Sequence, residues 1–230
     1  MAESFDPQQT AEFDRHARGY HDMHAASIAA SGEDPEYFAV YKQRTLERIL
    51  GKGFARPLLD FGCGIGNLTK HLAESFPDVD GYDPSSESTS LAKGRAPRAR
   101  FFHDTTSLKK GHYGAAVVAN VLHHVPPAER DALLLTVVER LATGGRLIVF
   151  EHNPLNPLTR RAVNACPFDE NAVLLSPWEV TRRLRDAGLH DVQRQFIVFF
   201  PHFLAPLRPI EPSLGWLPIG AQVVASGLKR

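Results

Sequence analysis

Leu58-Leu59-Asp60-Phe61-Gly62-Cys63-Gly64-Ile65-Gly66-Asn67 is the stretch that decides the fold. A short apolar strand ends in an acidic residue, glycines mark the turn, and a helical pattern runs from Asn67 to Phe76, stopping before Pro77. Glycine in such a turn lets the backbone pass close beneath a ligand, because no Cβ intervenes. Dinucleotide sites use a Gly-rich turn too, so the details must separate the two readings. A dinucleotide fingerprint wants a third glycine three positions after Gly64, where Asn67 stands. It also holds an anionic pyrophosphate at the helix N-terminus. Asp60 sits just before the turn, where a carboxylate would repel phosphate and would suit a cationic ligand instead.

Working outward, strand and helix patterns alternate. A second strand is read at residues 79–82, a Ser-rich helix start at Ser85, a third strand at 100–102 and a fourth at 115–121. A long amphipathic helix follows over 127–142, then Gly144-Gly145 and a fifth strand over 146–151. This alternation predicts a parallel sheet with helices on both faces. Residues 1–50 read as helices broken at Ser31-Gly32-Glu33-Asp34-Pro35. Toward the C-terminus, Ser176-Pro177-Trp178-Glu179 has the cap, proline and glutamate of a helix start. Two further strands are expected at 192–200 and 221–228, joined by a Pro-rich link of the kind that often covers a functional site. No internal repeat and no second domain is visible.

Four motifs fall in a telling order: the Gly-rich turn, Gly81-Tyr82-Asp83-Pro84-Ser85, His103-Asp104-Thr105, and Asn120-Val121-Leu122-His123-His124. Together they resemble class I S-adenosylmethionine-dependent methyltransferases of the small-molecule type, strongly over 58–151 and by topology beyond. The resemblance implies an α/β, single-domain, Rossmann-like methyltransferase fold. Its seven-stranded sheet would be mostly parallel with an antiparallel C-terminal strand and helices on both faces. It further implies one domain over 1–230: a helical lid at 1–50, a donor-binding core at 51–153 and acceptor-side helices and strands at 154–230. S-adenosylmethionine is the implied cofactor and S-adenosylhomocysteine the product. Asp60, Gly62, Cys63 and Gly64 are then expected under the methionine and ribose, and Asp83 with Pro84 at the ribose hydroxyls. Asp104 and Thr105 would meet the adenine amino group, Asn120 would lie beside the methionine, and Tyr20 in the lid would touch its end. Bland alternatives stand beside these: Asp83 as a helix cap, Asp104 as a turn opener.

Methyl transfer is an in-line attack on a carbon already activated by sulfur, so the protein mainly aligns and desolvates. A general base helps when the acceptor is a hydroxyl or an ammonium, and histidine suits that task near neutral pH. His123, His124 and His152 are the catalytic candidates. His123 and His124 could instead wall the donor pocket, and His152 could be no more than the neighbour of the Asn153-Pro154 turn. The apolar link with Phe203, Leu204, Leu207, Ile210, Leu214, Trp216 and Leu217 could wall the acceptor pocket or form core under a long loop.

Composition narrows the partners. The chain has 230 residues, is 43% hydrophobic, and balances 26 Lys+Arg against 26 Asp+Glu. No global positive field gathers nucleic acid. Asn120 lacks the two following prolines of nucleic-acid amino-methylating enzymes, and it stands where metal-dependent catechol-type enzymes begin a carboxylate cluster, so no metal is assigned. No run of apolar residues reaches membrane-spanning length. Two distant cysteines without metal-ligand spacing suggest a reducing, cytoplasmic setting. The expected partner is a small-molecule acceptor. The alternatives are a donor-binding regulatory or scaffold protein without methyl transfer, and a nicotinamide oxidoreductase.

Overall fold

The computed structural model describes Ile28 and residues 31–230. Strand β1 (Leu58–Phe61) is buried at every position, which only a central strand covered on both faces can be. It pairs in parallel with β2 (Val79–Tyr82) on one side and β4 (Tyr113–Ala119) on the other. β3 (Arg100–Phe102) extends the sheet beyond β2, and β5 (Leu141–His152) extends it beyond β4, all in parallel. The last two strands, β6 (His190–Ile197) and β7 (Gln222–Leu228), pair antiparallel, and β7 inserts antiparallel against β5. The order is β3-β2-β1-β4-β5-β7-β6. The winding therefore reverses between β1 and β4, and in open α/β sheets such a reversal leaves a crevice at the carboxyl ends of the strands.

Helices cover both faces. On one, Leu46 of α1 (Pro35–Leu50) and Leu68 and Leu72 of α2 (Asn67–Ser75) pack on Leu58, Ile148 and Phe150. On the other, Leu133, Leu134 and Val137 of α4 (Arg130–Arg140) and Val180 and Leu184 of α6 (Pro177–Asp186) pack on Leu59, Val118, Leu147 and Val149. Each such side chain contributes about 1.5–3 kcal/mol on full burial. α3 (Ser86–Arg95) closes over Cys63 and Phe101 through Ala92, and α5 (Pro157–Asn164) follows β5. Asp34, Ser85, Asn156 and Ser176 cap α1, α3, α5 and α6 with side-chain oxygens.

The pleat of β5 sorts its last residues. Leu147 and Val149 face α4 and α6, Ile148 and Phe150 face α1 and α2. By the same alternation Glu151 belongs to the first face and His152 to the second.

Several boundaries differ from the sequence reading: β5 begins at Leu141 rather than 146, and β6 spans His190–Ile197 rather than 192–200. β4 stops at Ala119 rather than 121, because Asn120 turns into the left-handed region at φ 56°. α4 begins at Arg130 rather than 127, after the turn made by Pro126 and Pro127. The Pro-rich link is not open coil: tight 3-10 turns run through His202–Leu214. Among the described residues, no helix is long and apolar enough to cross a membrane.

Candidate active site

The Gly-rich turn leaves β1 with Gly62, Gly64 and Gly66 all at positive φ, 81°, 51° and 81°. Two of them are forced. A Cβ on Gly62 would stand 2.4 Å from Val121 Cγ2, and one on Gly66 would stand 3.0 Å from the Ala92 Cβ of α3. Gly64 is different: a Cβ there meets nothing within 4 Å, so space opens above it. The Gly62 and Cys63 amides donate to the Tyr82 carbonyl at 2.7 and 2.9 Å, which ties the turn to the end of β2.

Asp83 lies at that end. Its carboxylate accepts from the Gly64 amide at 2.9 Å and from the Ser85 amide at 3.0 Å. The cap of α3 is Ser85, whose hydroxyl accepts from the Ser88 amide, so Asp83 is not the helix cap. Pro84 forms the bend between them. Asp60 is buried beneath the turn, where it accepts from the Thr69 hydroxyl at 2.7 Å. Burial, reinforced by the Asp83 charge, pushes its carboxyl up to about 7. Two carboxylates thus flank one glycine turn.

The Cys63 side chain points away from the opening, into the cluster with Ala92, Ala96 and Phe101. Burial, with Asp60 and Asp83 nearby, raises its thiol well above the ordinary range, so only its backbone is available. Asp104 is engaged in a turn: it accepts from the Thr106 amide at 2.8 Å and hydroxyl at 2.7 Å, which hold its carboxyl low. The carbonyl of Thr105 accepts from Arg140. Tyr20 lies outside the described residues. Asn120 keeps a buried Oδ1 without a partner among the described residues, an acceptor that a ligand donor can satisfy.

Past Asn120, the chain brings all three candidate histidines together. The ring centroids of His123 and His124 are 4.2 Å apart, and those of His123 and His152 are 5.0 Å apart. Glu151, fully buried, receives the Leu122 amide on Oε1 at 2.8 Å and holds His123 Nδ1 on Oε2 at 2.6 Å. Asp169 Oδ1 faces Nε2 of both His123 and His124 at 3.4 Å. Burial works against a charged His123, but Glu151 and Asp169 outweigh it and raise that imidazole to about 9. His124 is pushed down to about 3 by burial and the neighbouring His123 charge, and His152 falls well below its usual value for the same two reasons. Asp169 resists its burial and stays near 2 because the histidines surround it.

Two residues of this cluster had weak or no sequence signal. The sequence offers Glu151 only within the candidate group Glu151-His152-Asn153 at the end of the fifth strand, and Asp169 arrives from a 3-10 turn, Pro167–Asp169, with no spacing rule linking it to His123. Lys42 of α1 is a third. It is 6% exposed, with no hydrogen bond or ion pair among the described residues, yet its charge reaches Glu151 and His152. Burial lowers its ammonium to about 8, opposed by Glu151. The apolar link is not core: Phe203 is 77% and Trp216 75% exposed.

A family model described as a methyltransferase domain matches residues 23–194. A trans-aconitate 2-methyltransferase of Mycobacterium tuberculosis is 32% identical over 71% of this chain and 66% of its own length. A Bacillus cytotoxicus methyltransferase is 30% identical over 54% of this chain and 61% of its own. The chain thus spans about three fifths of the length of the first curated relatives it matches. Among solved structures, an S-adenosylmethionine-dependent methyltransferase of Thermotoga maritima, described as a possible histamine N-methyltransferase, superposes with a TM-score of 0.69. It covers 96% of this chain and 100% of its own at 19% identity. The magnesium protoporphyrin IX methyltransferase of Synechocystis with bound S-adenosylhomocysteine reaches 0.61 at 17% identity, covering 96% and 99%.

Proposed function

The chain belongs to the S-adenosylmethionine-dependent methyltransferase family, and on that premise we propose that it methylates a small-molecule acceptor carrying a carboxylate. The observation that carries the donor half is the pair of carboxylates, Asp60 and Asp83, flanking the glycine turn. They make the opening above Gly64 hostile to a pyrophosphate and welcoming to a ligand with an ammonium and a sulfonium. Asp83 suits the ribose hydroxyls once they replace its contact to Gly64, and the unpartnered Oδ1 of Asn120 suits the methionine ammonium.

Lys42 supports the acceptor half. Lys42 is 6% exposed and forms no hydrogen bond or ion pair among the described residues, so its burial costs stability that an acceptor carboxylate offsets when it binds. The name of the mycobacterial relatives, trans-aconitate 2-methyltransferase, points to the same acceptor class. Residues 154–230 supply the acceptor side, and the balanced charge gives no grip on nucleic acid. Cys63 and Cys166, the chain's two cysteines, are not joined in a disulfide, which fits a reducing cytoplasm.

In mechanism, the chain's own residues do little covalent work. They hold donor methyl and acceptor oxygen in line and exclude water, while the positive sulfur supplies the activation. The test is turnover of S-adenosylmethionine to S-adenosylhomocysteine with a panel of small carboxylates and matched neutral esters. The carboxylates should turn over and the esters should not. Lys42→Met should raise the acceptor KM about tenfold or more while donor affinity stays within about twofold, since a charge-assisted contact is worth about 1.5–3 kcal/mol. Donor binding with no turnover across the panel would favour a regulatory donor-binding protein, and an unchanged acceptor KM would remove Lys42 from the acceptor site.

A further inference from the structure

We propose that His123, His124 and Asp169 form a three-ligand site for a divalent transition ion of borderline softness, with zinc as its reference occupant. Their candidate ligand atoms lie within 4.8 Å of one another. The distances argue for an ion more than for hydrogen bonds alone. Asp169 Oδ1 stands 3.4 Å from Nε2 of both histidines. A charge-assisted hydrogen bond runs about 2.7–2.9 Å, so 3.4 Å is long for one. It does match the edge of a tetrahedron whose metal–ligand bonds are about 2.0–2.1 Å, an edge of about 3.3 Å. In the same cluster, His123 Nδ1 and Glu151 Oε2 meet at 2.6 Å, a true short hydrogen bond.

That second contact is what a metal-bound imidazole needs. A carboxylate on one ring nitrogen fixes the tautomer, and the ion displaces the proton from the other nitrogen as it binds. Glu151 is itself anchored by the Leu122 amide, so His123 is held from behind by a fixed group. Two imidazoles and one carboxylate suit zinc, cobalt or iron better than magnesium, which prefers an all-oxygen shell. Three protein ligands leave a fourth position open, and the His152 ring lies 5.0 Å from that of His123. Access is through the partly exposed edge, where the His124 side chain is 19% and the Asp169 side chain 11% exposed. On the reading that the enzyme methylates a carboxylate, the open position would take an acceptor oxygen. Metal binding itself does not depend on that reading.

The experiment is equilibrium dialysis of the full chain against zinc and against cobalt(II), with metal content per chain measured and the cobalt spectrum recorded. One ion per chain with the intense visible bands of four-coordinate cobalt is expected. His124→Ala and Asp169→Asn should each abolish stoichiometric binding. Glu151→Gln should weaken it by about ten- to a hundredfold, the usual effect of losing such an outer partner. His124 and Asp169 lie at the cluster edge, so circular dichroism should report a folded chain in both variants. No stoichiometric binding by the wild type, or binding that survives in His124→Ala and Asp169→Asn alike, would overturn the proposal. Donor titration on the same wild-type sample is independent of either result, so failure of the metal site is distinguishable from failure of the methyltransferase reading.

Discussion

Asp60 concentrates the electrostatics of the glycine turn, the proposed donor site. Its carboxyl is raised from an ordinary 3.8 to about 7 by burial first and the Asp83 charge second. Between those two values the folded chain binds more protons than the unfolded one. Stability is therefore fully present below about 4 and declines as pH rises through 7. Donor affinity has the opposite slope, because a cationic ligand binds the ionised carboxylate. Titrations of S-adenosylmethionine at successive pH values should show affinity rising up to about pH 7 and then levelling. Asp60→Asn should flatten that profile, and an equally steep profile in the variant would assign it to another group. Asp83→Ala removes a charged acceptor from both the Gly64 amide and the ribose position, and should weaken the donor by about ten- to a hundredfold. The position of Asp60 and Asp83 beside the glycine turn was legible in the sequence, because Asp60 stands one residue before the end of β1 and Asp83 directly follows β2. Asp169 was not: it reaches His123 only through tertiary packing, and no local pattern encodes that.

At the scale of elements, the glycine turn makes a prediction with two arms. Gly62→Ala forces a left-handed alanine and drives its Cβ to 2.4 Å from Val121 Cγ2. Strain of about 1–2 kcal/mol plus the overlap should cost about 2 kcal/mol or more, a fall of about 4–8 °C in Tm. Gly64→Ala meets no protein atom within 4 Å, so its Tm should fall less. Its donor affinity should nevertheless drop more than tenfold, because the added methyl enters the space the ligand needs. Thermal melts with and without donor read both arms, and a Gly64→Ala chain that binds normally would move the ligand elsewhere. Strands and caps at this scale were readable: residues 79–82 and 100–102 match β2 and β3, and Ser85 and Ser176 cap their helices. The misses have local causes. Asn120 ends β4 early by turning left-handed, which asparagine tolerates better than most residues. Pro206, Pro209 and Pro212 hid the 3-10 turns of the link, since proline breaks an α-helical pattern without excluding tighter turns.

The whole molecule follows from one topological fact. Because β1 sits between β2 and β4, the chain leaves the sheet centre in two directions, and every strand from β2 to β5 ends at the same edge of the crevice. Alternating strand and helix patterns made the parallel part legible. An antiparallel C-terminal strand was expected from resemblance, but its insertion between β5 and β6 was not read, because pairing order leaves no local trace. The same arrangement gathers Asp60 and Asp83 at the glycine turn, the proposed donor side, and His123, Glu151 and His152 beyond Asn120. The most direct test of this account is a calorimetric titration of the full chain with S-adenosylmethionine and, separately, with NADH at neutral pH. Saturable binding of the sulfonium donor is expected, weakened about ten- to a hundredfold in Asp83→Ala, with no binding of the pyrophosphate compound. NADH occupying the chain while S-adenosylmethionine stays free would contradict it.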